Sequence, residues 1–155
     1  AHGSILNNNS KIAILSYGNV AQGAFQAASR AGAAPRIFSR KTMMEFAQNI
    51  SDFDYIINGI KLDSSTEHVI TKDMRSQIKK GALVIDATVD TGRTIEGIKR
   101  TSIADPLYEE DGVFYYAIAN TPALAYREAS KTLSQGFRHT VFQVPVEQFF
   151  TLVNP

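Results

Sequence analysis

The most constraining feature of this sequence is a short apolar run that passes into a helix within a few residues. Ile12, Ile14 and Leu15 are apolar and are bounded by polar residues, which is typical of a buried strand. Beyond Gly18 the alanines recur at helical spacing, so the period changes across one tight turn. A strand that turns directly into a helix leaves backbone N–H groups at the positive end of the helix dipole, where a phosphate binds well. The stretch Lys11–Phe25 therefore predicts nucleotide binding.

The turn departs from the G-x-G-x-x-G/A pattern of dinucleotide-binding folds, because Ser16, Gly18 and Ala21 occupy its three positions. Gly18 keeps the position where backbone approaches the pyrophosphate, and Gly23 is expected to allow further close packing. A left-handed backbone at Ser16 would cost about 1–2 kcal/mol, so either the turn is regular there or strain is tolerated. Taken alone, the turn also fits an unrelated α/β protein. The turn residues predicted to bind a cofactor are Ser16, Tyr17, Gly18, Asn19 and Val20.

Composition excludes several classes of protein. The 155 residues predict one ordinary domain, and a net charge of +1 indicates neither a nucleic-acid partner nor a membrane partner. The absence of cysteine excludes disulfides and thiol chemistry, and the three histidines show no metal-ligand spacing, so no metal is predicted. No apolar run approaches the roughly 20 residues of a membrane span. We therefore expect a cytoplasmic protein.

The chain is expected to divide into three parts. Residues 1–10 are interpreted as a tag remnant and linker, and residues 11–140 as the dinucleotide-binding domain. Residues 141–155 carry apolar side chains, such as Phe142 and Phe149, that have no place in the predicted sheet. They are interpreted as a tail leading toward an absent substrate domain.

Strands and helices alternate along the predicted domain. The expected strands are 12–15, Arg36–Phe38, Phe53–Gly59, Leu83–Ala87 and Val113–Ile118, with a short edge strand at Thr101–Ala104. The first two helices are expected after Gly18 and around Met43–Ala47. A third is expected from a Thr71 cap through Ile78, with Gly81 ending it. A fourth is expected from a Thr121 cap to Gly136. This order predicts an α/β fold, a Rossmann-type open parallel twisted sheet with helices on both faces.

The end of the second strand indicates which dinucleotide binds. An NAD site carries an acidic residue about 20 positions past the glycine turn, where it accepts from the ribose hydroxyls. Here that position is Arg40, whose guanidinium can donate two hydrogen bonds to a phosphate and stack on adenine. Lys41 adds a second positive charge. Ser39 and Thr42 can donate hydroxyl hydrogen bonds. Since hydrogen bonds to charged groups contribute about 1.5–3 kcal/mol each, two or three would decide for NADP over NAD. The alternative is a solvated loop.

Further polar residues follow the later strands, and ligands of open parallel sheets bind outside the carboxyl ends of the strands. Predicted cofactor contacts from these strand ends are Asn58, Gly59, Ile60, Ala87, Thr88, Val89 and Asn120. Asp90 either bonds the nicotinamide ribose or a substrate amine, assists proton movement, or is a turn aspartate before Gly92. Asn120 either meets the nicotinamide amide or starts its helix. The residues predicted to be merely solvated are Lys61, Arg93, His68, His139, Asp105, Glu109, Glu110 and Asp111.

An ordered set of segments carries a family resemblance. It comprises Phe53–Asn58, Ile70–Thr71, Lys79–Gly92, Asp111–Val113 and Ala119–Pro122. The set resembles the nucleotide domain of the alanine dehydrogenase and transhydrogenase family. The Ser16–Ala21 turn and the Ser39–Thr42 tip are most similar to the carboxyethylornithine synthase branch, whose members are NADP-dependent opine-type dehydrogenases.

The resemblance implies a reductive condensation of pyruvate with the side-chain amine of ornithine or lysine. It places Asp90 at the nicotinamide end and Asn120 near the carboxamide, with Ser39, Arg40 and Thr42 on the 2′-phosphate. It also implies a substrate domain in the same full-length chain and a possible homo-oligomer, so this chain alone is expected to bind NADP without turnover. The alternatives are a nucleotide-sensing module without chemistry and the domain of an alanine dehydrogenase-like amino-acid dehydrogenase.

Overall fold

The computed structural model describes residues 5–62, 68–91, 94–140, 142, 143 and 145. The tag-like Ala1–Ser4, the polar Ser64–Glu67, Gly92, Arg93 and most of the predicted tail lie outside the described residues. The elements are β1 Ile12–Leu15, α1 Asn19–Arg30, β2 Arg36–Phe38, α2 Met43–Gln48, β3 Tyr55–Asn58, α3 Lys72–Ser76, β4 Leu83–Asp86, β5 Leu107–Glu110, β6 Val113–Tyr116 and α4 Tyr126–Thr140. Within these described ranges, no helix combines the length and apolar character needed to cross a bilayer.

The six strands form one sheet in the order β2-β1-β3-β4-β6-β5. Every pairing is parallel except that of β5 with β6, which is antiparallel. The chain leaves β1 for β2 on one side and then returns to place β3 on the other side. This reversal between β2 and β3 creates a crevice at the carboxyl ends of the strands. The predicted Rossmann-type fold is confirmed, with one antiparallel strand at its edge.

Both faces of the sheet are covered by apolar packing. On one face, Ala21 and Ala28 of α1 pack against Ile12 and Ile14, and small alanines let the helix lie close to the strand. On the other face the core includes three aromatic rings from β2, α2 and the segment before β3. The centroid of Phe38 lies 5.5 Å from that of Phe46 and 5.6 Å from that of Phe53. These rings fix the end of β2, where the basic tip begins.

The edge strand of the sheet is not where the sequence predicted it. Thr101–Ala104 contributes only an isolated bridge from Thr101 to Ile118, and the edge is formed by β5. Asp111 and Gly112 join β5 to β6 with φ angles of 54° and 81°, the left-handed backbone that a two-residue hairpin turn requires. Glu109 is exposed, as expected, but Glu109 and Glu110 belong to this strand, so their assignment to a loop was wrong.

Glu110 ties the edge strand to the rest of the domain. Its carboxylate accepts from Arg75 of α3 and from Lys99, the latter at 2.7 Å. Arg75 also lies over the ring of Tyr115, 4.7 Å from its centroid, and donates to the Tyr115 hydroxyl. The hydrogen bonds from Lys99 and then Arg75 hold the pKa of Glu110 below its ordinary value. This end of the sheet therefore has a structural ion-pair cluster.

Helix α3 is capped as predicted but is shorter than predicted. The Thr71 hydroxyl accepts from the Met74 backbone N–H at 3.3 Å, which confirms the cap. The helix ends at Ser76 rather than Ile78. Gly81, with φ +82°, donates to the Gly112 carbonyl at 2.7 Å. It therefore shapes the turn before β4 instead of ending the helix.

The chain separates into two compact units, Ala1–Ala119 and Asn120–Pro155. The sheet lies in the first unit. The second begins with a 3-10 helix, Thr121–Ala125, followed by α4, which continues past Gly136 to Thr140. Asn120, not Thr121, occupies the N-cap position, and its side chain makes no capping bond. The separation falls inside the predicted 11–140 domain.

Candidate nucleotide-binding site

The turn after β1 is strained, and its own serine supports it. Ser16 has φ 119°, a region that L side chains rarely adopt, so strain is tolerated at the departure from the glycine pattern. Its hydroxyl accepts from the Gly18 backbone N–H at 2.9 Å. Its backbone N–H donates to the Phe38 carbonyl at 3.0 Å, which joins the turn to the end of β2. The side chain therefore compensates locally for the missing glycine.

Helix α1 presents free donors directly after this turn. Gly18 is the N-cap, with φ −71° and ψ −178°, and no side chain caps the helix. The first turn holds no acidic residue, and the helix ladder starts when Gln22 N–H donates to the Gly18 carbonyl at 3.0 Å. The amides of Asn19, Val20 and Ala21 thus have no acceptor among the described residues. Uncapped amides on a 12-residue helix suit a phosphate group.

Gly59 lies where the turn after β3 meets α1 and the end of β1. A Cβ added there would lie 3.4 Å from Val20 Cβ and 3.5 Å from the Leu15 carbonyl oxygen, which are ordinary van der Waals distances. The Gly59 N–H donates to that carbonyl at 3.0 Å, so the two turns touch through backbone. Gly23 has no such role, because its Cβ would meet nothing within 4 Å, and the packing role predicted for it was wrong. Gly59 was expected to be the last residue of the third strand, whereas β3 ends at Asn58.

The tip after β2 is a capped 3-10 helix, Arg40–Thr42. The Ser39 hydroxyl accepts from Lys41 N–H at 3.2 Å, and the Thr42 hydroxyl accepts from Ser39 N–H at 2.9 Å. Both hydroxyls predicted to meet a phosphate are therefore engaged in holding the tip. The side chains of Arg40 and Lys41 are exposed and form no ion pair with another described residue. The tip presents two unpaired positive charges.

A cleft of about 440 Å³ joins these parts at the carboxyl ends of β1, β2 and β3. Its lining residues are Ser16, Tyr17, Phe38, Ser39, Arg40, Lys41, Gly59, Ile60 and Lys61. The cleft thus gathers predicted residues from three separate segments of the chain. Among the described residues that line it, three are cationic and none is acidic. Lys61 is exposed, as expected of a surface charge, yet it also lines the cleft.

Asn58 lies beneath the site and ties two loops together. Its side chain is fully buried, and its Nδ2 donates to Asp86 Oδ1 at 2.8 Å and to Thr88 Oγ1 at 2.9 Å. Its Oδ1 accepts from the Ile60 backbone N–H at 3.1 Å. Asp86, also buried, accepts from the Thr88 N–H at 2.9 Å. Because every polar atom of the Asn58 side chain is bonded inside the protein, this residue positions the loops at the ends of β3 and β4.

The loop after β4 carries Asp90 on its surface. Val89–Thr91 forms a 3-10 helix in which Val89 is buried and the Asp90 side chain is 61% exposed. Arg100 donates to the Asp90 carbonyl at 3.1 Å and lies 4.0 Å from its carboxylate. Ala87 N–H donates to the Asn58 carbonyl at 3.0 Å. Ala87, Thr88, Val89 and Asp90 lie at the next strand end and do not line the 440 Å³ cleft.

Asn120 and the two described histidines complete the set of residues considered from the sequence. Asn120 is the first residue of the second unit. His68 and His139 are exposed. In the part of the chain that the structure describes, no three histidine, aspartate or glutamate side chains gather where a metal ion could bind.

A mostly parallel sheet whose strand order reverses beside an uncapped helix N-terminus defines the class of doubly wound α/β proteins, which bind ligands at this switch point. The chain belongs to the alanine dehydrogenase/PNT C-terminal domain family, whose profile matches residues 6–153. The family resemblance predicted from the sequence is confirmed.

Curated relatives show which branch of this family the chain resembles. The chain is 40% identical to N(5)-(carboxyethyl)ornithine synthase of Clostridium botulinum over 152 residues, which are 98% of this chain and 48% of the relative. A protein of the same name from Lactococcus lactis subsp. lactis is 41% identical over 154 residues, 99% of this chain and 49% of the relative. The chain thus spans about half the length of the curated relatives it matches. The predicted similarity to the carboxyethylornithine synthase branch is confirmed.

Solved structures agree on the fold. An L-alanine dehydrogenase superposes with a TM-score of 0.72 at 21% identity, covering 83% of this chain and 41% of that one. A transhydrogenase from Sinorhizobium meliloti superposes with a TM-score of 0.62 at 21% identity, covering 72% and 37%. Family and relatives together support a dinucleotide-binding domain of an oxidoreductase, in a family that binds nicotinamide dinucleotides.

Proposed function

We propose that this chain is the NADP(H)-binding domain of an oxidoreductase of the carboxyethylornithine synthase type. The observation that carries the proposal is the cleft at the end of β2, whose described lining residues include Arg40, Lys41 and Lys61 and no carboxylate. A residue of the opposite charge at this strand end would favour the bare ribose hydroxyls of NAD. Cations at the same place favour the added phosphate of NADP.

The residues present fit a dinucleotide at two points. The free amides of Asn19, Val20 and Ala21 suit the pyrophosphate, because α1 has neither a cap nor an acidic residue in its first turn. Arg40 and Lys41 suit the 2′-phosphate, because neither is paired with another described residue. Ser39 and Thr42 keep the tip rigid through their mutual caps, which lowers the entropy lost on binding.

A nicotinamide bound here supplies hydride to the substrate carbon. The protein supplies position and charge. The exposed carboxylate of Asp90 is free to accept from a ribose hydroxyl or from a substrate amine, since its contact with Arg100 is long. We propose Asn120 as a contact of the carboxamide, with its amide available because it makes no capping bond.

The proposed reaction condenses the carbonyl of a keto acid, pyruvate, with the side-chain amine of ornithine or lysine, with loss of water. A hydride from NADPH and a proton would then reduce the resulting imine to a secondary amine. This reaction needs the substrate held against the cofactor in a closed cleft. The relatives named for this synthase are about twice as long as the region matched here. We therefore propose that a substrate domain, in an oligomeric cytoplasmic enzyme, completes the site, and that this chain alone binds cofactor without turnover.

Calorimetric titration of this chain with NADPH and with NADH tests the cofactor assignment. We expect NADPH to bind at least about tenfold more tightly, since one charge-assisted bond to the 2′-phosphate corresponds to that ratio or more. Raising the salt concentration should reduce this preference, because the cleft is open to solvent. Equal affinity for the two cofactors would remove the NADP assignment.

A further inference from the structure

Lys61 is a cation that lines the cleft but does not belong to the tip after β2. It lies three residues past the end of β3, whereas Arg40 and Lys41 follow β2. Because β1 lies between β2 and β3 in the sheet, these cations approach the cleft from its two sides. Lys61 makes no ion pair with another described residue. Its ammonium group is therefore available to an anion in the cleft.

We infer that Lys61 is a specificity-determining residue, which contacts the 2′-phosphate of NADP(H) from the β3 side while Arg40 contacts it from the β2 side. This inference rests on the proposed cofactor. A phosphate monoester carries a charge of about −1.5 to −2 at neutral pH and three acceptor oxygens, so it can accept hydrogen bonds from cations on more than one side. Arg40 and Lys41 belong to the β2 side of the cleft, and Lys61 adds a cation from the β3 side.

The composition of the cleft indicates the 2′-phosphate rather than the pyrophosphate. The polar lining of the cleft comprises Lys61, the tip residues Ser39, Arg40 and Lys41, and Ser16 and Tyr17 of the turn after β1. None of the described residues of α1 lines it with them, although the first amides of that helix suit the pyrophosphate. The pyrophosphate position is defined by the first turn of α1, which lies outside that lining. Lys61 is thus grouped with the residues that distinguish NADP from NAD.

Backbone contacts hold the Lys61 segment in place. Gly59 N–H donates to the Leu15 carbonyl at 3.0 Å, and the Ile60 carbonyl accepts from the hydroxyls of Thr88 and Thr94, each at 2.9 Å. The backbone is therefore held at Gly59 and Ile60, the two residues directly before Lys61. A flexible side chain on a fixed backbone reaches an anion with little further loss of backbone entropy.

The test is a titration of Lys61→Gln and Lys61→Arg with NADPH and with NADH, beside Lys72→Gln as matched control. Lys72 is an exposed lysine of α3 that lines a different cleft. We expect Lys61→Gln to weaken NADPH about tenfold and to leave NADH unchanged, as loss of one charge-assisted contact requires. Lys61→Arg should retain most of the NADPH affinity, and Lys72→Gln should change neither.

Two results would overturn the inference while the wild-type preference for NADPH persists. Equal weakening of NADPH and NADH by Lys61→Gln would assign Lys61 to the pyrophosphate, and unchanged binding of both would make it a solvated charge. Equal affinity of the wild-type chain for NADPH and NADH would overturn both the inference and the proposed function. Unfolding midpoints of all variants confirm that the fold is retained.

Discussion

The Arg40→Asp variant is expected to lose about 100-fold or more in affinity for NADPH while it binds NADH as well as the wild type or better. Loss of a forked charge-assisted contact accounts for about 1.5–3 kcal/mol, and the new carboxylate adds repulsion of the 2′-phosphate. An aspartate at the end of β2 also offers the acceptor that an NAD site uses for the ribose hydroxyls. Titration of the variant with both cofactors measures the reversal.

Lys72→Asp is the control for this change, because it alters the net charge equally on the exposed surface of α3. We expect it to weaken NADPH only slightly, through the general field of the protein. The account of the β2 tip would be refuted if Arg40→Asp behaved like Lys72→Asp, or if it weakened NADPH and NADH alike.

The largest effect on stability is expected at Asn58, beneath the site. In Asn58→Asp a carboxylate oxygen replaces Nδ2, which lies 2.8 Å from the buried Asp86 Oδ1. Two buried carboxylates at this distance cannot both ionise, so one takes up a proton and its pKa rises in the folded state. We expect a loss of about 3–5 kcal/mol near pH 8, the cost of an uncompensated buried charge.

The stability loss of Asn58→Asp is expected to depend on pH. A carboxyl whose folded pKa lies above its unfolded value of about 4 contributes stability at low pH and loses it as the pH rises through the folded pKa. The deficit of Asn58→Asp against wild type should therefore shrink between about pH 8 and about pH 5, measured by denaturant unfolding. The exposed Asn9→Asp serves as control and should show neither loss nor pH dependence. A deficit that is independent of pH would contradict the sharing of a proton between Asp86 and the carboxyl group introduced by Asn58→Asp.

The sequence predicted the parallel part of the fold because its strands are continuous apolar runs. Ile12–Leu15 and Leu83–Asp86 are short and bounded by polar residues, the first fully buried and the second alternately buried and half-buried, so their pattern admits few other structures. Strand β5 escaped prediction because Glu109 and Glu110 made it resemble a loop. Its signal was the Asp111-Gly112 turn beside a β-rich run, and the cations Arg75 and Lys99 that stabilise Glu110 come from distant parts of the chain.

The residues of the candidate site that could be predicted are those whose place at the end of a strand brings them to the cleft. Ser16, Arg40 and Gly59 lie where the predicted strand ends placed them, and the structure brings them to one cleft. The internal use of polar side chains was not predictable, because it depends on neighbours across the sheet. Asn58 was expected to face a cofactor, yet the ends of β3 and β4 supply partners for its whole amide.

The central claim is that this cleft holds the 2′-phosphate of NADP. Phosphorus NMR of NADP⁺ with this chain tests it directly, because the 2′-phosphate and the pyrophosphate give separate resonances. We expect the 2′-phosphate resonance to shift on binding and its pKa to fall below the free value of about 6, since the cations favour the dianion. A shift confined to the pyrophosphate resonances, or a 2′-phosphate whose pKa is unchanged, would contradict the claim.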